Sequence, residues 1–141
     1  MVLNLSSWGE NKQPIAEWLI EELNTKYYIP ERIAQLWVDN DELLLLLDGL
    51  DEVALSHRED CVKEINDFLQ AHLVPLVVCS RVEEYDNLIT QLKLHGAVVL
   101  QPLTPQQVDT YLATAGNEFQ AVRDTLQSDA NLQILAQSPL M

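Results

Sequence analysis

Up to Leu100, short apolar runs alternate with segments whose apolar residues recur at helical spacing. Val2–Leu5 predicts a short strand that ends at Ser6, Ser7 and Trp8. From Pro14 to Leu23, Ile15, Leu19 and Leu23 fall on one side with Trp18, and Pro14 suits a first helical turn. Pro30–Val38 predicts a second helix with Ile33 and Trp37 on one face. Leu43–Leu47 is too brief for a helix and continuously apolar, the pattern of a strand covered on both faces. Ser56-His-Arg-Glu59 has the form of a capping box, so a helix is expected from His57, buried through Cys61, Ile65, Phe68 and Leu69. Leu76–Cys79 (LVVC) and Ala97–Leu100 (AVVL) predict two further strands, separated by a helix from about Glu84 to Leu94 that stops at Gly96.

Beyond Gln101-Pro102 the pattern is helical only. Thr104-Pro-Gln-Gln107 is a second capping box and opens a helix buried through Val108, Tyr111 and Leu112. Two more helical segments carry Phe119, Val122 and Leu126, then Leu132 and Leu135. The alternation before that point predicts a parallel α/β sheet with helices on both sides, a three-layer αβα arrangement, over residues 1–102. Residues 103–141 form a helical appendage. No internal repeat or low-complexity linker separates them.

Composition narrows the classes of partner. The chain has 141 residues and a formal net charge of −14, with 8 Lys and Arg against 22 Asp and Glu. No basic stripe gathers those cations, which argues against a nucleic-acid surface and equally against an anionic membrane. The longest apolar run is far short of a membrane span. The N-terminus MVLNLSSWGE lacks a basic region and a signal-like apolar stretch, so the expected location is cytoplasmic. The cysteines, Cys61 and Cys79, are expected as two buried thiols. They and the scattered His57, His72 and His95 offer no metal-ligand spacing.

The stretch LLLLLDGLDEV, Leu43–Val53, carries the candidate chemistry. Ligands of open α/β sheets sit at the carboxyl ends of the strands, where Asp48 follows one apolar run and Ser80-Arg81 follow another. A carboxylate there can hold magnesium, and a neighbouring cation can contact a phosphate. The bland readings stand beside these. Asp48 can be a plain solvent-facing strand end, Asp51 or Glu52 can simply favour the start of the next helix, Ser80 can be a helix cap, and Arg81 can be a surface arginine.

These residues resemble a known family. DGLDE after a run of leucines is similar to the Walker B motif of NACHT domains, a branch of the STAND class of P-loop NTPases. A small residue directly after the magnesium aspartate, here Gly49, is typical of that branch. VVCSR resembles the strand that ends in the sensor-1 arginine. QPLTPQQVDTYL resembles the link into the family's helical subdomain, and LAQSPLM resembles its closing segment. The resemblance implies that Asp48 holds magnesium, that Asp51, or else Glu52, orients the attacking water, and that Arg81, beside Ser80, reads the terminal phosphate. It also implies that Pro139 packs against the nucleotide base, with ATP and magnesium as the cofactors of an ATP-driven switch.

One part of the family pattern is absent. None of the glycines, Gly9, Gly49, Gly96 and Gly116, is followed by Lys-Ser or Lys-Thr, so the phosphate-cradling G-x-x-x-x-G-K-[ST] run is missing. By the resemblance the chain starts at the family's second strand, as a fragment carrying the magnesium-binding and sensing half. It is expected to be inactive alone and to bind nucleotide only with the missing segment. The family's sheet places the P-loop strand between its fifth and fourth strands, so its loss leaves apolar edges open. The expectation is either Ala97–Leu100 moving beside Leu76–Cys79 or a homodimer that covers the edge. Two other classes compete. A receiver-like phosphoacceptor domain also has an aspartate ending a central strand, but here Gln101 stands where its lysine would precede the proline. A non-enzymatic interaction module would use the truncated α/β unit only to dock a partner; Trp8, Trp18 and Trp37 would supply an anchor if exposed, although core packing is the expected role of such residues.

Overall fold

The computed structural model describes residues 1–137 and, among them, every side chain except those of Glu10, Asn11 and Asn117. The chain divides into two compact units, Met1–Ala97 and Val98–Met141.

The first unit is built on a three-stranded parallel sheet in the order β1 (Val2–Asn4), β2 (Leu45–Asp48), β3 (Leu76–Val78). Val2, Leu46 and Val77 lie in one cross-strand row, and Leu3, Leu47 and Val78 in the next. Side chains alternate across a pleated sheet, so these two rows face opposite ways. After β1 come a short helix α1 (Trp8–Asn11), α2 (Ile15–Tyr27) and α3 (Glu31–Asp39); α4 (Leu55–Ala71) links β2 to β3. Both crossovers step in the same direction through the sheet, and right-handed connections then put their helices on one face.

Burial follows from that geometry. Leu3, Leu45 and Leu47 are fully buried with Ile15, Trp18, Leu19 and Leu23 of α2, Ala34 and Val38 of α3, and Cys61, Val62 and Ile65 of α4. The other face is bare: Val2 is 57% exposed, Leu44 53% and Val77 52%. The run Leu43–Leu47 is therefore covered on one face, and this part of the fold has two layers, not three. The two sheet edges also differ. Val2 donates its N–H to the Tyr27 hydroxyl (3.2 Å), which donates in turn to the Val2 carbonyl (2.6 Å), so a side chain closes the outer edge of β1. The outer edge of β3 has no strand beside it among the described residues.

Several expected elements shift for physical reasons. α4 starts at Leu55 with Ala54 as its N-cap, so Ser56 lies inside the helix and its capping box does not form. Val53, 1% exposed, pins the chain just ahead of it, and burying a valine outweighs a cap of about 1 kcal/mol. On α3 the buried positions are Ala34 and Val38, with Ile33 39% exposed. The helix expected to Leu94 is only α5 (Val82–Asp86). Beyond it, side chains of α4 hold the backbone instead: Glu59 accepts from the N–H groups of Ile89 (2.6 Å) and Thr90 (3.1 Å). Asn66 accepts from Lys93 N–H (2.7 Å) and donates to the Gln91 carbonyl (3.0 Å). Ala97–Leu100 forms no strand and does not join β3; Val98 is 90% exposed. Apolar, β-branched residues favour a strand only when a neighbour offers an edge and a face to pack on. Trp8 and Trp18 are core residues, and of the two cysteines Cys61 is buried whereas Cys79 is exposed.

The second unit contains α6 (Pro105–Ala115), α7 (Gln120–Ser128) and α8 (Ala130–Ala136). The Thr104–Gln107 capping box forms, with Pro105 in the first turn. Arg123 makes a two-pronged pair with Asp109 (2.9 and 3.0 Å), joining α7 to α6. No described residue of these helices is fully buried. No described helix is long and apolar enough to cross a membrane.

Candidate functional site

The carboxyl ends of the three strands bring together the residues singled out by their position after apolar runs. Asp48 is the last residue of β2, opposite Asn4 of β1, and exposed. Its parity places it on the bare face with Leu46. Its carboxylate has no hydrogen-bond partner among the described residues. Gly49 follows at φ 74°, ψ 40°, in the left-handed region that glycine enters without steric cost. A Cβ there would come within 2.9 Å of the Glu52 carboxyl and 3.3 Å of Asn4 Nδ2. The chain thus doubles back at Gly49 into a single 3-10 turn, Leu50–Glu52, with Leu50 buried and its N–H donating to the Cys79 carbonyl (3.1 Å).

That turn sends its two acids in different directions. Asp51 points to the end of β3: Oδ1 accepts the Arg81 N–H (3.2 Å) and Oδ2 lies 3.2 Å from Arg81 Nε. The Asp51 side chain is 15% exposed, whereas that of Arg81 is 83% exposed. Glu52 points to the end of β1 and accepts from Asn4 Nδ2 (2.8 Å). Ser80 lies between Cys79 and Arg81. It does not cap α5, whose N-cap is Arg81; its hydroxyl lies 3.3 Å from the Arg81 carbonyl. Pro139 falls outside the described residues.

A second arginine braces the turn from below. Arg58, on the first turns of α4 and 5% exposed, donates to the carbonyls of Asp51 (2.6 Å) and Val53 (3.3 Å) and pairs with Glu84 of α5. Burying a guanidinium is costly unless its donors are used, and here only Nε lacks a partner. Arg58 was not among the expected site residues. The signal for it is the α4 stripe: extended one turn back from Cys61 and Ile65, the buried face lands on position 58.

The donor set constrains the chemistry. Among the described residues no group of three or more His, Cys, Asp and Glu side chains converges to hold a metal. Asp48 alone would hold magnesium only together with waters and ligand phosphates, the usual coordination of that ion. Comparisons of the chain with protein-family models, with curated proteins and with solved structures give no match.

Proposed function

We propose that this chain is the magnesium-binding and phosphate-sensing part of a NACHT-type signalling NTPase, an ATP-dependent switch whose phosphate loop comes from a segment outside it. The observation that carries the reading is the meeting of Asp51 and Arg81 from the tips of adjacent parallel strands, with Asp48 at the tip of the central one and without a partner among the described residues. Carboxylate and guanidinium at that place suit a metal–triphosphate, which needs both an anionic metal ligand and a cation on the terminal phosphate.

In this reading Asp48 holds magnesium, which when bound neutralises charge on the phosphates. Asp51 orients water, and Glu52, held by Asn4, is the less well placed alternative. Arg81 contacts the terminal phosphate. Arg81 is tied to Asp51, so it would have to leave that carboxylate to reach a phosphate, and Asp51 would then be free for its own role. Arg58 and Glu84 keep the turn in place while Arg81 moves. Ser80 stands beside Arg81, and Pro139 is assigned to the base by resemblance only.

At this end the chain has three acids against the one exposed cation Arg81 and no G-x-x-x-x-G-K-[ST] run, so a calorimetric titration with magnesium and ATP at micromolar protein is expected to show no binding. Extended ahead of Met1 by a strand, a G-x-x-x-x-G-K-[ST] loop and a helix, it is expected to bind. In the extended protein Asp48→Asn should remove the magnesium dependence, and Asp51→Ala should slow turnover more than binding. Failure of the extended protein to bind would end the reading.

The bare face and the open edge of β3 favour a second reading, a non-enzymatic module that docks a partner. It differs in leaving Asp48 and Arg81 without a ligand.

A further inference from the structure

The helical unit holds a cavity where a core would be. Its helices turn their less exposed residues toward one another, yet no described residue of α6, α7 or α8 is fully buried. Between them lies a space of about 70 Å³, walled by Val108 and Leu112 of α6, Leu126 of α7 and Ala136 of α8. Protein interiors contain few voids larger than a water molecule.

The phase of α8 keeps this space open. Its sequence, ANLQILA, supplies Leu132, Ile134 and Leu135, and all three are exposed. Gln133 and Ala136 face the cavity instead. A rotation of about 100°, one residue of helical phase, would bring Leu132 and Leu135 in their place and fill it. Polar contacts fix the phase that is observed. Gln133 Nε2 donates to the Leu126 carbonyl (2.7 Å), and Asp129 caps α8 by accepting from the N–H groups of Asn131 (2.9 Å) and Leu132 (3.2 Å).

The rim offers hydrogen bonds but no free charge. Arg123 is spent: Nε and Nη2 donate to Asp109 (2.9 and 3.0 Å), and Nη1 lies 3.4 Å from Gln120 Oε1. Gln133 Oε1 and the Gln127 amide, both at the cavity, have no hydrogen-bond partner among the described residues. They present acceptor oxygens and one donating amide.

We infer that this cavity binds a small uncharged molecule with a short branched aliphatic end and a carboxamide or hydroxyl head. On the scale where a dry cavity of about 150 Å³ takes benzene, this one takes about three non-hydrogen atoms, an isopropyl group in size. The head donates to Gln133 Oε1 and accepts from Gln127 Nε2. Water can satisfy these amides but gains nothing from the apolar wall, so a molecule with both ends displaces it favourably. A carboxylate finds no unpaired cation there and meets a chain of net charge −14. The inference lies wholly within the second unit and does not rest on the nucleotide reading.

The test titrates isobutyramide into the full chain and follows backbone amides and methyl groups by NMR. A saturable shift confined to α6, α7 and α8 is expected, with a Kd in the millimolar range. Nuclear Overhauser contacts should join the probe's methyls to those of Val108, Leu112 and Leu126. Isobutyrate, the charged isostere, should bind about tenfold or more weakly. Ala136→Leu should fill the cavity and abolish the shift. Gln127→Ala, at an exposed position, should weaken binding about threefold to tenfold with helix content unchanged. Absence of saturation, equal binding of isobutyrate, full binding by Ala136→Leu, or methyl contacts elsewhere on the chain would each overturn the inference. Should Ala136→Leu fail to fold, the methyl contacts in the unsubstituted chain decide. The ATP titration reads a different part of the molecule, so either reading can fail without the other.

Discussion

The two faces of the sheet carry nearly the same amino acids and live in different environments. Leu45 and Leu47 face the helices and are fully buried, while Leu44, in the same run, is 53% exposed. The two edges repeat the contrast, one closed by Tyr27 and the other, at β3, without a strand beside it among the described residues. Side-chain chemistry does not distinguish the leucines; topology does. Crossovers that all step one way cover one face, and the functional candidates Asp48 and Arg81 sit at the end of a layer that lacks its complement.

The sharpest way to break this comparison is inside β2. Leu47→Ala should cost about 2–5 kcal/mol in urea denaturation, because it leaves a cavity in a closed core. Next is the brace under the site. Arg58→Met should cost about 1.5–3 kcal/mol, since the Asp51 and Val53 carbonyls lose a charged donor. Arg81→Met removes an exposed pair instead and should cost at most about 1 kcal/mol.

Acid should act on the segment after α5. The N–H of Ile89, joined by Thr90, holds the Glu59 carboxyl below its ordinary 4.5 despite some desolvation. A depressed folded pKa gives stabilisation that is full above the ordinary value and lost as pH falls through the lower folded one. Protection of the amides in residues 87–94 relative to their intrinsic exchange rates should therefore fall as pH drops below 4.5, and Glu59→Gln should flatten that fall. Asp41 behaves the same way, lowered first by the Leu73 N–H and then by His72. The smallest effect belongs to the bare face: Leu44→Ala should change stability by no more than about 0.5 kcal/mol. Thiol labelling gives an independent check of the two environments. Burial pushes the Cys61 thiol up to about 12, so it should stay inert under conditions that label Cys79.

The fold was legible in the sequence where local pattern and tertiary setting agree. The run ending at Asp48 is a strand, the Cys61–Ile65–Phe68 stripe is buried, and Thr104 caps α6. It was not legible where distant groups decide. Nothing in LLLLL distinguishes one covered face from two. AVVL has strand chemistry without a sheet to join, and the stretch after Asp86 is held by Glu59 and Asn66 from another element. At the candidate site, the rule that parallel strands deliver their residues to one end brought Asp48, Ser80 and Arg81 into view, whereas Asp51 was implied only by the family resemblance. Arg58 stayed hidden because an arginine in a polar turn of sequence reads as surface. Only the phase of the α4 stripe, carried one turn back, turns it inward.

Hydrogen exchange along β3 in the full chain tests most directly whether the sheet is unfinished on this side. The account predicts alternation within one strand: Val77 and Cys79, bonded to β2, exchange slowly, while Leu76 and Val78 exchange on the order of a hundredfold faster. Uniform protection of all four amides would mean that the edge is already paired, and would contradict the account.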